Sequence, residues 1–587
     1  MAAKRPWSRR LALLGLLLVA GCAERAARPQ VIVIGWDGAD WQLLDELMAK
    51  GAMPELSALV SEGAAGTLRT IHPPLSPIVW TTMMTGRAPL DHGVLDFTRF
   101  NPATRTREPI GSDDRRVPAV WTIASEAGRK VAVFAMWATY PAESVNGVVV
   151  SDRLMSFQNG AQRKASGVVS PGSRAAWAAE ALGRAERATD TATLERYAPG
   201  VAADARLEEG LRRLLVETVV YDELAASWFT EQRPDLTILY VQGTDAIGHL
   251  FAPYRPPPVK GVSEGDVARW GGVADAYYAE ADRRLGAWRK RAREAGAVLV
   301  LVSDHGFTWG AGRPPAATSA AAATAGRWHR DDGIYVVAGP GIAADRAQRG
   351  HGEVAQVAPT LLSLLGLPST RSMPVPLAGL RAAPGSPADD ATAATPSGDA
   401  AARAEVESGS EAIANLRALG YIGGAEPDRA PELVRTGTRT AGSFGNEGLI
   451  QLEAGRAAEA KAAFREALSI DPKHAASLWN LAQLLAKEGD PAAEATLMRA
   501  VSAGSPDAAR QVSDRARTRL QAGDCRGALD DVRAVAAANP ASAVARAAEG
   551  LALMCLGERE QAAAALRRSL VIDPDQPDVA RALEALR

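Results

Sequence analysis

Acidic, histidine and serine side chains stand at or near the ends of several apolar runs in this sequence. Asp37 closes the run VIVIGWDG, and Asp304 with His305 closes AVLVLVSDHG. The full set comprises Asp37, Ser76, Asp245, His249, Asp304, His305 and His329. The chain contains only seven histidines, so three in one set are unlike a random scatter. Three carboxylates and three imidazoles that converge beside a hydroxyl predict a two-metal hydrolytic site.

The apolar runs themselves predict how these residues come together. Val31–Ile34 and Val298–Val302 are typical of strands that are buried on both faces. Such strands favour an α/β core with a largely parallel central sheet. Ligands of these sheets bind beyond the carboxyl ends of the strands, which is where the candidate residues lie.

The spacing of the candidates fits metal binding. Asp245 and His249 are four residues apart, so one helical turn places both on the same face. Carboxylate and imidazole ligands suit Zn²⁺ and related divalent ions, and two such ions are expected, with zinc preferred. Ser76 precedes Pro77 and a predicted helix over residues 78–85, so we expect it to be an N-cap with an exposed hydroxyl. Metal coordination would activate that hydroxyl as a nucleophile.

Several candidates also have a structural interpretation. Asp37 can serve as a turn residue, because Gly38 follows it. Ser76 can be a helix cap and nothing more. His329 follows an Ala-rich stretch, and His351 competes with it for the last histidine position. These alternatives remain open at the level of sequence.

The order of the motifs resembles the alkaline phosphatase superfamily, and most closely the type I phosphodiesterase/nucleotide pyrophosphatase family. The segments are GWDGAD, PPLSPIVWTTMMTGRAPLDHG, TDAIGH, SDHGF and a later histidine. The resemblance covers about residues 31–367 and implies a phosphoester substrate. It implies two metal positions, one held by Asp37, Asp304, His305 and the nucleophile Ser76, the other by Asp245, His249 and His329.

The sequence departs from that family at three places. Val79 stands where relatives have an asparagine that helps to hold the phosphoryl group, and the nucleophile is Ser76 rather than threonine. The arginine that grips phosphate in alkaline phosphatases has no clear counterpart, although Arg87 or Arg330 could substitute. The preference for phosphodiesters or phosphomonoesters therefore stays open. A sulfatase would need Pro and Arg soon after the nucleophile, and the segment SPIVW lacks that pattern.

Length and composition bound the remaining possibilities. A chain of 587 residues is too long for one core, so two or more domains are expected. The apolar fraction of 47% and the charged fraction of 23% are ordinary for globular protein. A net charge of −2 gives no electrostatic footprint for nucleic acid.

The N-terminus has the pattern of an export signal. A basic stretch precedes the apolar run Leu11–Val19, which is too short for a comfortable membrane span. The run ends in VAGC and resembles the lipobox of bacterial lipoproteins, so residues 1–22 form the predicted signal peptide and Cys22 the lipidated residue. Ala23 follows it, which by resemblance to the usual sorting rule favours the outer membrane of the bacterial cell envelope, facing the periplasm. An exported chain permits a disulfide between Cys525 and Cys555, but two buried free thiols are the favoured interpretation.

The rest of the chain divides into three stretches. Residues 30–370 form the predicted catalytic domain, with a helical insertion at 155–230 that can cover the site and set its specificity. Residues 381–441 are rich in Ala, Pro, Gly and Ser and predict a linker without a rigid interface, interrupted by one short helix near 411–419. Residues 444–587 repeat with a period of 34, marked by Gly455, Gly489, Gly523 and Gly557 and by Pro472, Pro506, Pro540 and Pro574.

That period resembles the tetratricopeptide repeat, an all-α helix–turn–helix solenoid whose usual partner is a peptide or protein. A second hypothesis follows from it. The chain can be a non-catalytic interaction protein in which the hydrolase fold is a relic. A relic is expected to have lost ligands, whereas this sequence retains a candidate at every position, which favours the enzyme.

Overall fold

A computed structural model of the chain describes residues 29–102, 105–157, 167–201, 204–313, 325–344, 348–380, 413, 416 and 438–586. Its central sheet has nine strands in the order β13-β2-β12-β9-β1-β8-β5-β6-β7. The strands are β1 Val31–Trp36, β2 Ala64–Arg69, β3 Thr98–Asn101, β4 Thr106–Pro109, β5 Val131–Phe134, β6 Gly147–Val150, β7 Val169–Ser170, β8 Leu236–Val241, β9 Val298–Val302, β10 Gly306–Phe307, β11 His329–Arg330, β12 Asp332–Ala338 and β13 Gly350–Glu353.

Helices cover the sheet and then continue into an all-helical C-terminal part. Those of the first part are α1 Trp41–Ala49, α2 Pro54–Glu62, α3 Ser76–Thr85, α4 Pro89–His92, α5 Val120–Glu126, α6 Ala175–Ala188, α7 Thr191–Glu195, α8 Ala205–Gln232, α9 Gly243–Phe251, α10 Glu264–Trp270, α11 Val273–Ala295 and α12 Val357–Leu364. Those of the second are α13 Ala441–Glu453, α14 Ala457–Ile470, α15 Ala475–Glu488, α16 Ala492–Ser502, α17 Pro506–Gln521, α18 Cys525–Ala538, α19 Ala543–Cys555, α20 Arg559–Ile572 and α21 Pro577–Glu584.

The sheet is mostly parallel, which confirms the predicted fold class. Strand β1 lies between β8 and β9 and pairs in parallel with both. Strand β12 is the main exception, because it runs antiparallel to both of its neighbours. In the register, Gly35 of β1 is opposite Tyr240 of β8 and Val302 of β9. The three central strands therefore end at the same level, and the loops that follow them meet.

The two faces of the sheet are packed by helices, as continuous apolar strands require. The longest helix, α8, packs on β5 and β8, and α11 packs on β9. Helix α8, the C-terminal part of the predicted helical segment at 155–230, therefore forms part of the layer on the sheet. Helix α3 packs against β1 at Gly35, where the ring of Trp80 takes the space of a side chain. A Cβ at Gly35 would lie 2.5 Å from that ring. This close approach brings the start of α3 to the end of β1.

The C-terminal helices pack as successive pairs around three small apolar clusters, and this confirms the predicted repeat architecture. The second helix of the second repeat is shorter than that of the first, since α16 has 11 residues and α14 has 14. Cys525 and Cys555 form a disulfide with a Cα–Cα distance of 5.8 Å, so the expectation of free thiols is wrong. The reason is geometric: Cys525 begins α18, Cys555 ends α19, and these helices pack together.

The repeats lie against the catalytic domain. The amide of Phe100 in β3 donates to the carbonyl of Thr438 (2.7 Å), and the hydroxyl of Thr440 donates to Asp96 (2.6 Å). This differs from the expected lack of a rigid interface. Most of the predicted linker lies outside the described residues, but Ile413 and Leu416 are helical and buried in the core of the catalytic domain.

Among the helices that the structure describes, none is both long and apolar enough to cross a membrane.

Candidate metal-dependent active site

The structure places all seven predicted site residues in one region at the carboxyl edge of the central strands. Asp37 follows β1, and Asp304 with His305 follows β9. Asp245 and His249 lie on α9, which follows β8. Strands β10 and β11 pair so that Phe307 is opposite His329. This pairing brings His329 back to the site. The side chains of Asp37, Asp245, Asp304, His305 and His329 are inaccessible to solvent.

One group of candidate metal ligands consists of Asp37, Asp304 and His305. The Nε2 atom of His305 lies 3.4 Å from Oδ1 of Asp37 and 3.3 Å from Oδ2 of Asp304. The Oδ2 atom of Asp304 and the Nε2 atom of His305 are buried, and neither has a hydrogen-bond partner in the described part of the chain. Two buried polar atoms that face each other without partners are costly unless a cation joins them.

The second group surrounds Asp245. His249 Nε2 lies 3.1 Å from Asp245 Oδ2, and His329 Nε2 lies 3.5 Å from Asp245 Oδ1. The two histidine nitrogens are 3.2 Å apart. The ring of His305 stacks on that of His329 at 3.7 Å between centroids, and His305 also lies within ligand distance of Asp245. The two groups are therefore adjacent, and His305 lies between them. Gly38 permits this, because its φ is +63° and a Cβ there would lie 2.7 Å from Asp245 Oδ1.

Hydrogen bonds orient the imidazoles. His329 Nδ1 lies 2.7 Å from the carbonyl of Pro74, and His305 Nδ1 lies 3.1 Å from the carbonyl of Gly306. A carbonyl can only accept, so each Nδ1 carries a proton, and in the neutral form of each ring the lone pair lies on Nε2, which faces the site. The hydroxyl of Ser303 supports the same turn by donating to the carbonyl of His305 (2.8 Å).

The electrostatics favour bound cations. Burial and the charge of Asp245 raise the pKa of Asp37 to about 7, and burial with the charge of Asp37 raises the pKa of Asp304 well above its ordinary value. Burial also raises the pKa of Asp245, but His249 and His329 outweigh it and hold that pKa well below the usual range. Burial lowers the pKa of His305, which stays neutral. Burial therefore opposes the ionisation of Asp37 and Asp304, and bound divalent ions would remove that cost.

Ser76 lies beside the first group. Its hydroxyl donates to Asp37 Oδ1 at 3.4 Å, and the residue is fully buried. The expectation of an exposed N-cap is wrong. Leu75 is the cap, and its carbonyl accepts from the amides of Ile78 and Val79 (2.9 and 3.0 Å). Ser76 is thus the first helical residue, and its hydroxyl is directed to the site instead of to the helix.

Comparison with known proteins identifies the family. A sequence model described as type I phosphodiesterase/nucleotide pyrophosphatase matches residues 31–360, more than half of the chain. This chain belongs to the type I phosphodiesterase/nucleotide pyrophosphatase family. A tetratricopeptide repeat model matches residues 451–516. The family is metal-dependent, in agreement with the two groups of ligands.

Several solved structures are similar to this member of the family. Phosphonoacetate hydrolase from Sinorhizobium meliloti, in complex with phosphonoacetate, is 20% identical over 50% of this chain and 59% of its own, with a TM-score of 0.32. Murine ectonucleotide pyrophosphatase/phosphodiesterase 5 is 16% identical over 48% of this chain and 57% of its own, with a TM-score of 0.28. A 2-O GAG sulfatase is 13% identical over 60% of this chain and 74% of its own, with a TM-score of 0.38. The chain thus spans less than two thirds of the length of the first two.

In this family member, neither arginine considered for phosphate binding is directed to the ligands. Arg330 donates to both carboxylate oxygens of Asp40 (2.9 Å each), and Arg87 pairs with Asp91 at 3.8 Å. His351 lies on strand β13 at the edge of the sheet, where Nδ1 contacts the hydroxyl of Thr67 (2.9 Å). The competing histidine is therefore far from the ligands in the sheet order.

Sequence reasoning missed two residues next to Asp37. The hydroxyl of Tyr240 donates a short hydrogen bond to Asp37 Oδ2, and the indole of Trp137 donates to Tyr240 at 2.7 Å. Tyr240 is part of the apolar run of β8, and Trp137 follows β5. An aromatic residue in or after a strand is ordinarily part of the core, so neither residue carried a signal that could have found it.

Proposed function

We propose that this chain is a two-metal phosphoester hydrolase in which Ser76 is the nucleophile. The observation that carries the proposal is that three carboxylates and three imidazoles lie together beside one serine hydroxyl in a buried site. The atoms Asp304 Oδ2 and His305 Nε2 fit a divalent ion, since both are buried without a hydrogen-bond partner among the described residues. Family membership supports phosphoester hydrolysis as the reaction class.

The ligands divide between two ions. Asp37, Asp304, His305 and the Ser76 hydroxyl would hold one, and Asp245, His249 and His329 the other. Oxygen and nitrogen donors in this mixture suit Zn²⁺. When bound, the ions would lower the pKa of the Ser76 hydroxyl and neutralise the charge that builds on the phosphoryl oxygens.

The chain supplies the covalent chemistry. The Ser76 hydroxyl gives up its proton, and its oxygen forms a bond to phosphorus while the bond from phosphorus to the leaving oxygen breaks. The leaving oxygen takes up a proton, and a phosphoserine remains. Water then attacks that phosphorus and releases the serine oxygen. Asp37 Oδ1 lies 3.4 Å from the serine oxygen and orients its hydroxyl. Burial of Ser76 and its neighbours excludes bulk water from the reacting centre.

Of the two arginines considered for phosphate binding, Arg330 donates to Asp40 and Arg87 pairs with Asp91, so within the described residues neither is assigned to the phosphate. A second negative charge on a phosphomonoester would therefore lack a partner. We propose on this ground that phosphodiesters are preferred over phosphomonoesters.

The remaining elements of the proposal concern location and partners. Cys22 would carry the lipid and attach the mature chain to a membrane of the bacterial cell envelope, with the outer membrane facing the periplasm as the proposed site. It lies outside the described residues. The tetratricopeptide repeats support an interaction with a protein or peptide.

One experiment tests the core of the proposal. The full chain is reconstituted with Zn²⁺, and its hydrolysis of bis-p-nitrophenyl phosphate and p-nitrophenyl phosphate is measured beside Asp304→Ala and Asp245→Ala. We expect zinc-dependent hydrolysis, faster for the diester, that both variants lose. A metal-loaded, folded wild type without activity on either ester would contradict the proposed reaction. Faster hydrolysis of the monoester would contradict the proposed preference.

A further inference from the structure

The repeat domain contacts the catalytic domain through one edge, and the contacts follow the period of the repeats. Thr438 and Thr440 precede the first repeat helix, Asp507 begins α17, and Asp573 precedes α21. Asp507 bonds to Arg327 (2.9 Å), two residues before the ligand His329. Asp573 and Asp575 lie 3.5 Å from Lys260, on the segment that follows α9. The docked edge thus faces segments that carry site residues.

One part of this edge surrounds Asp96. The hydroxyl of Thr440 donates to Asp96 (2.6 Å), and the side-chain amide of Asn446 donates to the carbonyl of Leu95 (2.8 Å). Burial raises the pKa of Asp96, with Thr440 opposing that shift. Gly442 lies against the same carboxylate, because a Cβ there would be 2.6 Å from Asp96 Oδ2. The interface at Asp96 is therefore built for a residue without a side chain at position 442.

Direct contacts lead from Asp96 to a metal ligand. The next residue, Phe97, packs edge-to-face on Trp137 at 5.6 Å between ring centroids. Trp137 donates to the oxygen of Tyr240 (2.7 Å), and an indole N–H can only donate. The Tyr240 proton is therefore directed to Asp37 Oδ2. This donation fixes the rotamer of Asp37 and leaves Oδ1 for Ser76 and His305.

We propose that the repeat domain supports the Asp37 metal position through Asp96, Phe97, Trp137 and Tyr240. The proposal rests on the proposed function, since it concerns the affinity of one of the two ions. Docking of α13 holds the segment 95–100, this segment holds the indole of Trp137, and the indole holds the Tyr240 donor. Tyr240 and Trp137 are positioning residues in this scheme. Loss of such an outer partner of a metal ligand costs roughly 10- to 100-fold in metal affinity.

The variant Gly442→Glu tests the docking step in the full chain. A glutamate in the first turn of α13 suits the helix, but it would collide with Asp96 and repel it. Ala476→Glu is the matched control, because Ala476 is exposed and occupies the equivalent position one 34-residue period later. Hydrogen exchange at the Phe100 amide, which donates to Thr438, reports whether the edge is docked. Gly442→Ala gives a milder variant in the same direction.

Metal affinity is measured by competition between each zinc-loaded protein and a chromophoric zinc chelator. We expect Gly442→Glu to expose the Phe100 amide and to weaken one ion roughly 10- to 100-fold, and Ala476→Glu to change neither. Tyr240→Phe should weaken the same ion, and Gly442→Glu should add nothing further in that background. The effect should persist in Asp245→Ala and vanish in Asp304→Ala.

Three results would overturn the proposal. The first is an exposed Phe100 amide with unchanged zinc affinity. The second is full additivity of Gly442→Glu and Tyr240→Phe. The third is a Phe100 amide that stays protected in Gly442→Glu, because docking would then not involve the contact with Asp96. A wild type that binds no zinc at all would instead contradict the proposed function.

Discussion

The Oδ2 atom of Asp304 lies 3.3 Å from the Nε2 atom of His305, and both are buried without another hydrogen-bond partner in the described residues. Adjacent residues at a strand end can face a common point because the chain turns there. The pair is the part of the site that most directly fits a cation. The group around Asp245 lies beside it, and His305 belongs to both groups.

Two ions per chain are expected from these two groups of ligands. Asp304→Ala removes a ligand of the Asp37 group, and Asp245→Ala removes the carboxylate at the centre of the other. Each variant should retain one ion, and the double variant should retain none. Elemental analysis of reconstituted, folded protein measures this directly. Two ions retained in Asp304→Ala would show that this residue is not a ligand.

The contribution of Asp37 and Asp304 to stability without metal should fall as the pH rises. The pKa values of Asp37 and Asp304 are raised in the folded state, so these groups bind more protons folded than unfolded. Their contribution is full below the unfolded pKa near 4 and is lost as the pH rises towards about 7, the folded pKa of Asp37. The gain in Tm on adding Zn²⁺ should therefore be larger at pH 7.5 than at pH 5.5.

The control for that prediction is Asp304→Asn. This variant cannot ionise at position 304, so its metal-free form should lose less stability over the same pH range. Thermal unfolding in EDTA, followed by circular dichroism, supplies the comparison. A metal-free wild type that gains stability relative to Asp304→Asn between pH 5.5 and pH 7.5 would contradict the sign of the effect.

The candidate metal ligands could be predicted from the sequence, but the residue that hydrogen-bonds to Asp37 could not. Asp37, Asp304 and His305 stand out because each interrupts an apolar run at its end, where burial alone would not place a charge. Tyr240 interrupts nothing, since an aromatic residue suits a buried strand. Its role as a donor to Asp37 depends on the register of β1 and β8, in which Gly35 is opposite Tyr240. Register is a tertiary property that periodicity within one segment does not contain.

The capping and linker predictions failed for related reasons. Ser76 was expected to cap α3 because serine is a favoured cap, but the backbone of Leu75 takes that place and frees the serine for Asp37. The docking of the repeats depends on a few polar contacts at Asp96 and on the space left by Gly442. A single aspartate or glycine has no distinctive sequence pattern. The composition of the neighbouring linker therefore gave no sign of this interface.

The disulfide between Cys525 and Cys555 should stabilise the repeats. The two residues are 30 apart, and closing a loop of that length contributes about 3 to 4 kcal/mol in the chain-entropy model. The double variant Cys525→Ser/Cys555→Ser should unfold its repeats at lower denaturant concentration, while the zinc content stays unchanged. Free-thiol titration under denaturing conditions checks the pairing. Two free thiols in oxidised protein would contradict it.

Lipidation of Cys22 should attach the mature chain to a membrane. Cys22→Ser should either release the protein or leave the signal peptide uncleaved. Ala23→Asp is a useful control, because it keeps the cysteine and should alter only the target membrane. Mass spectrometry of the mature N-terminus identifies the acyl groups. An unmodified Cys22 in mature protein would rule out this mode of attachment.

Ser76 should carry the phosphoryl group during turnover. Its hydroxyl is the one that contacts Asp37, whereas the nearby hydroxyls are engaged elsewhere: Thr81 donates to the carbonyl of Pro77 (2.6 Å), and Thr82 contacts His92 (2.9 Å). Ser76→Ala should lower turnover by roughly 10³-fold or more, because the nucleophile is lost. The fold should tolerate the change, since Leu75 and not Ser76 caps the helix.

Rapid acid quench followed by peptide mass spectrometry should locate phosphate on Ser76 in the wild type and on no residue in Ser76→Ala. Thr81→Ser serves as the matched control, because it retains a hydroxyl that bonds within the helix, and it should keep both turnover and the phosphoserine. Phosphate on residue 81 or 82, or full turnover in Ser76→Ala, would move the nucleophile along α3. Such a shift would be hard to reconcile with the geometry, because the hydroxyl of Ser76 is the one directed to Asp37.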